Sequence, residues 1–162
     1  MPKVLLRKIR IGDRKYFARW WRDKELLRIT SGMLRRITDY EIDKYFSKIL
    51  NDKKSLQYMI VVNRKPVGHI SLDQRNGDWY ETQIVIGEKG RQGKGYGTKA
   101  IKQLLEKAQK SGIKKIYLEV RQNNLGAIRA YEKCGFRKVG IKKYPKNKYL
   151  PQTVKMILWT QE

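Results

Sequence analysis

One stretch constrains everything else: Ile84-Val85-Ile86-Gly87-Glu88-Lys89-Gly90-Arg91-Gln92-Gly93-Lys94-Gly95-Tyr96-Gly97-Thr98-Lys99-Ala100. It opens as a β-branched apolar run, which reads as a strand. It crosses a loop holding Gly90, Gly93, Gly95 and Gly97, then takes a helical period with Ala100, Ile101, Leu104, Leu105 and Ala108 on one side. A strand, a glycine loop and a helix in succession present unpaired N–H groups at the positive end of a helix dipole. That is an anion site, suited to phosphates. The glycines admit positive φ and let a ligand approach with no Cβ in the way. Arg91 and Lys94 add positive charge to the loop.

Three phosphate motifs compete for this stretch. A P-loop requires G-x-x-x-x-G-K-[ST], and no Gly-Lys-Ser/Thr triplet occurs. The dinucleotide fingerprint matches at Gly95-Tyr96-Gly97-Thr98-Lys99-Ala100, with Glu119 about 20 residues on. In that fold, however, the first glycine follows its strand directly, whereas here Glu88 to Lys94 intervene. The third motif is Q/R-x-x-G-x-G/A, at Gln92-Gly93-Lys94-Gly95-Tyr96-Gly97. It resembles the pyrophosphate loop of the GNAT acyl-CoA N-acyltransferases. Downstream, Asn124-Leu125-Gly126-Ala127-Ile128-Arg129-Ala130-Tyr131-Glu132-Lys133-Cys134-Gly135-Phe136 resembles that superfamily's N-x-x-A-I-x-x-Y-x-x-x-G-F segment. The likeness runs from Ile60 to Val139 and covers the N-terminal third in outline.

The resemblance implies an α+β fold, a mixed sheet in three layers with the order β-α-α-β-β-β-α-β-α-β-β, and one domain over residues 1–162. It implies acetyl transfer from acetyl-CoA to a primary amine, of a small molecule or a protein N-terminus. The pyrophosphate would sit on the amides of Gly93 to Thr98, with Arg91, Gln92, Lys94, Gly95, Tyr96 and Gly97 around it. Pantetheine amides would pair with the edge of Ile84, Val85 and Ile86, which splays from the strand at 116–120, as an added strand does. Asn124, Ala127 and Tyr131 would complete the acetyl-CoA site. A lysine-like amine with pKa ~10.4 is mostly protonated at neutral pH, so a base is needed. Glu81 is the candidate by family position, and Asp78 a poorer one. Tyr131 matches the position of the general acid for the thiolate. The segment before Gln92 lacks the proline common in the family.

Elsewhere the chain reads in order as follows. Val4 to Arg10 is a strand, and Asp13 a candidate N-cap for a helix carrying Tyr16, Phe17, Trp20 and Trp21. Adjacent tryptophans cannot share one helix face, so one of them is free to wall a groove. Thr38-x-x-Glu41 is a capping box before a second helix with Ile42, Tyr45, Phe46, Ile49 and Leu50. Strands follow at 58–62 and 67–72. His69 lies opposite Ile70 and Leu72 in the alternation and reads as a structural or surface imidazole rather than a general base. Asn76-Gly77 marks a hairpin. Ile116 to Val120 is a buried strand and residues 124–134 a helix. Strands from Phe136 and over Val154 to Trp159 close the sheet.

Composition bounds the rest. With 162 residues and 40% hydrophobic content the chain is globular. Its one cysteine, Cys134, fits a reducing, cytoplasmic setting without disulfides. Cys134 and one histidine leave no metal-ligand cluster, and no apolar run has membrane-spanning length. The chain carries 38 Lys+Arg against 15 Asp+Glu, a net charge of +23. That suggests an acidic partner beyond coenzyme A: nucleic acid, the ribosome or a phosphorylated substrate. The N-terminal outline resembles the branch with ribosomal-protein, aminoglycoside and amino-sugar acetyltransferases. The charge disfavours a polycationic acceptor and favours a nucleotide-linked amino sugar or a protein beside RNA. A monomer or homodimer fits. The alternatives are a non-catalytic module of this fold that binds nucleic acid, and a dinucleotide oxidoreductase, for which βαβ units are too few.

Overall fold

The computed structural model describes residues 2–149 and 151–158. The elements are β1 (Val4–Lys8), a 3-10 turn (Ile11–Asp13), α1 (Arg14–Trp20), α2 (Lys24–Ile29), α3 (Asp39–Asn51), β2 (Leu56–Val62), β3 (Lys65–Gln74), β4 (Trp79–Ile86), α4 (Tyr96–Lys110), β5 (Lys115–Val120), α5 (Leu125–Lys133), β6 (Phe136–Lys143) and β7 (Gln152–Leu158). Trp159, expected to end the last strand, lies outside the described residues. The seven strands form one sheet in the order β1-β2-β3-β4-β5-β7-β6.

Alternation along the strands builds two cores. Ile60, Val62, Ile70, Leu72, Ile84 and Ile86 face α4 and α5, packing on Ala100, Ile101, Leu104, Ile128 and Tyr131. Met59, Val61 and Val85 face the other way, against Phe17 and Trp20 of α1, Leu26 of α2 and Phe46 of α3. The sheet is therefore the middle of three layers, as expected.

The N-terminal half departs from expectation in two places. Three helices, not two, precede β2. The apolar spacing through Trp21 suggests continuous helix, but Asp23 restarts the chain: its carboxylate accepts from the N–H groups of Glu25 and Leu26 at 3.1 and 3.4 Å, capping α2. Asp13 takes the N-cap position of α1 as expected, but its side chain makes no cap bond there. Its carboxylate is buried and takes both arms of Arg7 at 2.8 Å each, plus the Arg10 N–H at 2.8 Å. A bidentate guanidinium is the stronger partner, and burial makes it necessary. The Thr38–Glu41 capping box forms as expected.

One sheet feature positions the site. β4 and β5 are the parallel pair, and they pair only over Trp79↔Lys115, Tyr80↔Ile116 and Glu81↔Tyr117. Beyond Glu81 they diverge, while β4 stays paired to β3 up to Gly68↔Ile86. The backbone groups of β4 that would face β5 are left without a strand partner along Thr82 to Ile86.

Candidate active site

The divergence opens a cleft of about 450 Å³ between β4, the start of α4 and α5. Ile84, Val85 and Ile86 form one wall, and Asn124, Ala127 and Ala130 face them. Arg91, Gln92, Gly93, Gly95, Tyr96, Gly97 and Thr98 close its end. Gly90, Gly93 and Gly95 take φ of 81°, 73° and 82°, conformations that admit glycine far more readily than other residues. Gly95 is the N-cap of α4, and the helix's first bond closes at Lys99 N to Gly95 O, 3.2 Å. The N–H groups of Tyr96, Gly97 and Thr98 thus have no acceptor within the helix, and no acidic side chain lies in that turn.

The expected loop residues divide by role. The Gln92 side chain donates to the Ile86 carbonyl at 2.8 Å. It ties the loop to the end of β4, so what it offers a ligand is backbone. Arg91 lines the cleft, whereas Lys94 is exposed and is absent from its lining. Tyr96 is buried in the core beneath the helix start. Two basic residues missed in the sequence also line the cleft, Arg129 and Lys133 of α5. With Gly126 and Ala130 they fall at i, i+3, i+4, i+7, a stripe on one helix face.

A second groove, about 590 Å³, lies on the opposite side of β4 and β5. Its floor is the sheet face that carries Glu81, Gln83 and Val85 of β4 and Glu119 of β5, with Tyr117 on that same face outside the lining. The β5 strand is thus only half apolar, a correction to the expected buried strand. Its roof includes Trp20, Trp21, Ile29 and Thr30; both tryptophans wall the groove, not one. Glu81 Oε1 receives Arg75 Nε at 3.0 Å and Nη2 at 2.8 Å. Asp73 sits directly across from Glu81 in the β3–β4 register. Glu119 accepts from the Tyr144 hydroxyl and from Thr153 Oγ1, the latter at 2.9 Å. Three carboxylates thus cluster on the groove side of the sheet in a strongly cationic chain. Asp78 lies apart, exposed and 3.3 Å from Lys115 Nζ.

His69 also lines this groove. It packs edge-on to Phe17 at 5.0 Å, and its Nε2 lies 2.7 Å from Gln57 Oε1. Gln57 Nε2 donates onward to Asp73 at 2.9 Å, which makes Gln57 Oε1 the acceptor and fixes Nε2 as the imidazole's protonated nitrogen. Burial lowers the imidazole pKa to about 4.

The two grooves meet where Ile84, Val85, Asn124 and Ala127 line both. Asn124 caps α5, its Oδ1 accepting from Ala127 N at 3.3 Å while Nδ2 donates to Ile29 O at 3.2 Å. The expected pantetheine contact is left one N–H and one lone pair. Tyr131 is buried at this junction, lines the second groove and has no hydrogen-bond partner for its hydroxyl among the described residues. Burial pushes its phenol well above the ordinary tyrosine range. Neighbouring Thr82 spends its own hydroxyl on the Ser71 carbonyl at 2.9 Å. Cys134 packs with Sγ 3.5 Å from the Thr98 carbonyl, away from both linings. No group of three or more potential metal ligands occurs among the described residues, and no helix there is long and apolar enough to cross a membrane.

Comparison with known proteins fits this geometry. Residues 3–137 match the Acetyltransferase (GNAT) domain. An aminoglycoside N(6')-acetyltransferase type 1 of Klebsiella pneumoniae is 28% identical over 142 residues, covering 79% of this chain and 66% of the relative. The structure of AAC(6')-Ib with ribostamycin and coenzyme A superposes with a TM-score of 0.80 at 22% identity, over 96% of this chain and 92% of that one. A Vibrio cholerae spermidine N-acetyltransferase with CoA and spermine gives 0.78 at 24% identity, over 95% and 93%. These relatives are aminoglycoside and spermidine enzymes, so the narrower placement beside ribosomal-protein and amino-sugar acetyltransferases gives way to the family itself. Neither the structure nor these relatives support the nucleic-acid or ribosome partner suggested by net charge. The chain belongs to the GNAT family of acetyl-CoA-dependent N-acetyltransferases.

Proposed function

We propose that the chain moves an acetyl group from acetyl-CoA to the primary amine of a small acceptor that carries further positive charge. The observation that carries this reading is the junction of two grooves at the β4–β5 divergence. One groove ends in a glycine-rich helix start suited to pyrophosphate, and the other is floored by carboxylates.

Acetyl-CoA would lie in the first cleft. Its pyrophosphate would rest on the N–H groups of Gly93 to Thr98, with Arg91, Arg129 and Lys133 adding charge. Pantetheine would extend the open edge of Ile84 to Ile86, and an edge N–H there would hold the thioester carbonyl. The amine enters from the second groove. Its nitrogen lone pair forms the N–C bond, the carbonyl becomes an oxyanion, and collapse breaks the C–S bond. Glu81, or a water it holds, takes the proton leaving nitrogen. Both Arg75 contacts fall on Glu81 Oε1, which leaves Oε2 for that water. Tyr131 supplies a proton to the departing sulfur. Its hydroxyl, whose pKa burial raises, lies beside Thr82 and forms no hydrogen bond among the described residues.

The acceptor reading follows local charge rather than net charge. Glu81 and Glu119 line the groove and Asp73 lies beside Glu81 on the same sheet face, with Arg75 and Arg121 as their cationic neighbours, so an amine cation meets carboxylates there even in a chain of net charge +23. The aminoglycoside and spermidine enzymes among the relatives support the same class. Calorimetry with acetyl-CoA, followed by acetylation assays on spermidine, ribostamycin and neutral amines, tests it. Saturable acetyl-CoA binding with faster turnover of the charged amines is expected. Absence of acetyl-CoA binding overturns the reading, and preference for a neutral or anionic amine overturns the acceptor class.

A further inference from the structure

The turn joining β5 to α5 grips the end of α2. Arg121 Nε donates to the Thr30 carbonyl at 2.8 Å and Nη2 to the Ser31 carbonyl at 3.1 Å. Asn124 Nδ2 takes the Ile29 carbonyl at 3.2 Å, and Asn123 Nδ2 reaches the Arg28 carbonyl at 3.5 Å. Carbonyls at a helix end have no donor within the helix. Here those from Arg28 to Ser31 are taken, one after another, by side chains of a single distant turn. The same Arg121 Nη2 also donates to the Tyr149 carbonyl, in the connection between β6 and β7. One guanidinium therefore joins three segments that are remote in sequence.

Gly32 completes the seat. It holds φ of +76°, and a Cβ there would overlap the Arg121 guanidinium and the Tyr149 carbonyl. The held segment is also functional ground: Ile29 and Thr30 line both grooves, while Ser31 and Arg121 line only the second.

We propose that Arg121 is a positioning residue for the acceptor, holding the Thr30–Gly32 segment as the roof of the second groove and so setting the groove's width. This rests on the acetyltransferase reading above. Arg121 touches no reacting atom in this scheme. Asn124, which holds the neighbouring carbonyl at the junction, keeps the acetyl-CoA side in place. Lysine cannot substitute, because a point charge lacks the planar fork that spans separate carbonyls.

The test compares wild type with Arg121→Gln, Arg121→Lys and Gly32→Ala. It uses spermidine and ribostamycin as acceptor probes, calorimetry for acetyl-CoA, and amide exchange across residues 28–33. Loss of these charge-assisted bonds is expected to raise the acceptor KM about tenfold or more in Arg121→Gln. Its kcat and its acetyl-CoA Kd stay near wild type, and exchange at residues 28–33 quickens. Arg121→Lys recovers little. Gly32→Ala keeps the guanidinium but displaces its seat, so it raises the acceptor KM alone and covers the case in which Arg121→Gln does not fold. An unchanged acceptor KM, a matching loss of acetyl-CoA affinity, or unaltered exchange overturns the inference. A wild type that binds no acetyl-CoA defeats the acetyltransferase reading instead, and the exchange comparison still decides whether Arg121 holds the roof.

Discussion

Trp20 lies against Gly87 so closely that a Cβ on Gly87 would overlap the indole ring. The contact fastens α1 to the end of β4, where the strand turns into the glycine loop. Gly87 N and Glu88 N both donate to the Val67 carbonyl, at 2.8 and 3.1 Å, and Arg19 pairs with Glu88. The loop therefore starts from a fixed point braced by α1 and by the neighbouring strand β3.

Gly87→Ala is expected to destabilise the protein by about 1–3 kcal/mol, the range for overpacking a filled site. The cost comes from sterics, since Gly87 has no positive φ. Urea unfolding of Gly87→Ala, Trp20→Leu and the double variant checks it: the double variant should lose less than the sum of the singles. Additive losses would mean the two residues do not share one cavity.

Tyr131→Phe should cut kcat by about 10²-fold or more, the range for a positioned general acid, while leaving acetyl-CoA affinity unchanged. Stability should hold or rise slightly, because the buried hydroxyl it removes has no hydrogen-bond partner among the described residues. Single-turnover kinetics with thiol release as readout separates this from slow product release. A kcat at the wild-type level would remove Tyr131 from the mechanism.

What the sequence made legible was local. The glycines at 90, 93 and 95 stand where the backbone needs positive φ, and the Asn124 cap and Tyr131 fall within one short helix. The residues missed act over distance. Arg121 is bonded to segments 90 and 28 residues away. The Asp73–Glu81–Glu119 face emerges only when strand neighbours and register are known, since alternation tells which side a residue takes but not what lies beside it. The break before α2 was readable from Asp23, but the aromatic spacing through Trp21 masked it. Net charge says nothing of where charges sit, because it averages over the whole surface, while a bound molecule feels the charges within a Debye length.

Arg129→Gln with Lys133→Gln should weaken acetyl-CoA binding about 3- to 30-fold, as two solvent-facing charge contacts contribute up to ~1 kcal/mol each. Acceptor KM at saturating acetyl-CoA should not change, since neither residue lines the second groove. The salt dependence of the Kd should flatten in the double variant. Calorimetry at two ionic strengths decides; equal slopes would place these side chains away from the bound anion.

His69 is the chain's single histidine, so its titration can be isolated. Burial lowers its pKa from 6.5 to about 4 in the folded protein, against ~6.5 when unfolded. Between those values the unfolded chain binds a proton that the folded one refuses, so stability rises with pH across this window. The neutral imidazole's contribution is complete above pH ~6.5 and lost as pH falls toward 4, a change of up to ~3 kcal/mol. Carboxylates held low by arginines, such as Asp13 and Glu41, lose their contribution as pH falls through still lower values. They are shared by both proteins in a comparison of wild type with His69→Gln. The difference in unfolding free energy between those two should therefore carry the histidine alone: steep between pH 4.5 and 6.5, flat above 7. A difference independent of pH would mean the imidazole is as well solvated in the fold as outside it, and the groove wall around Phe17 more open than its packing indicates.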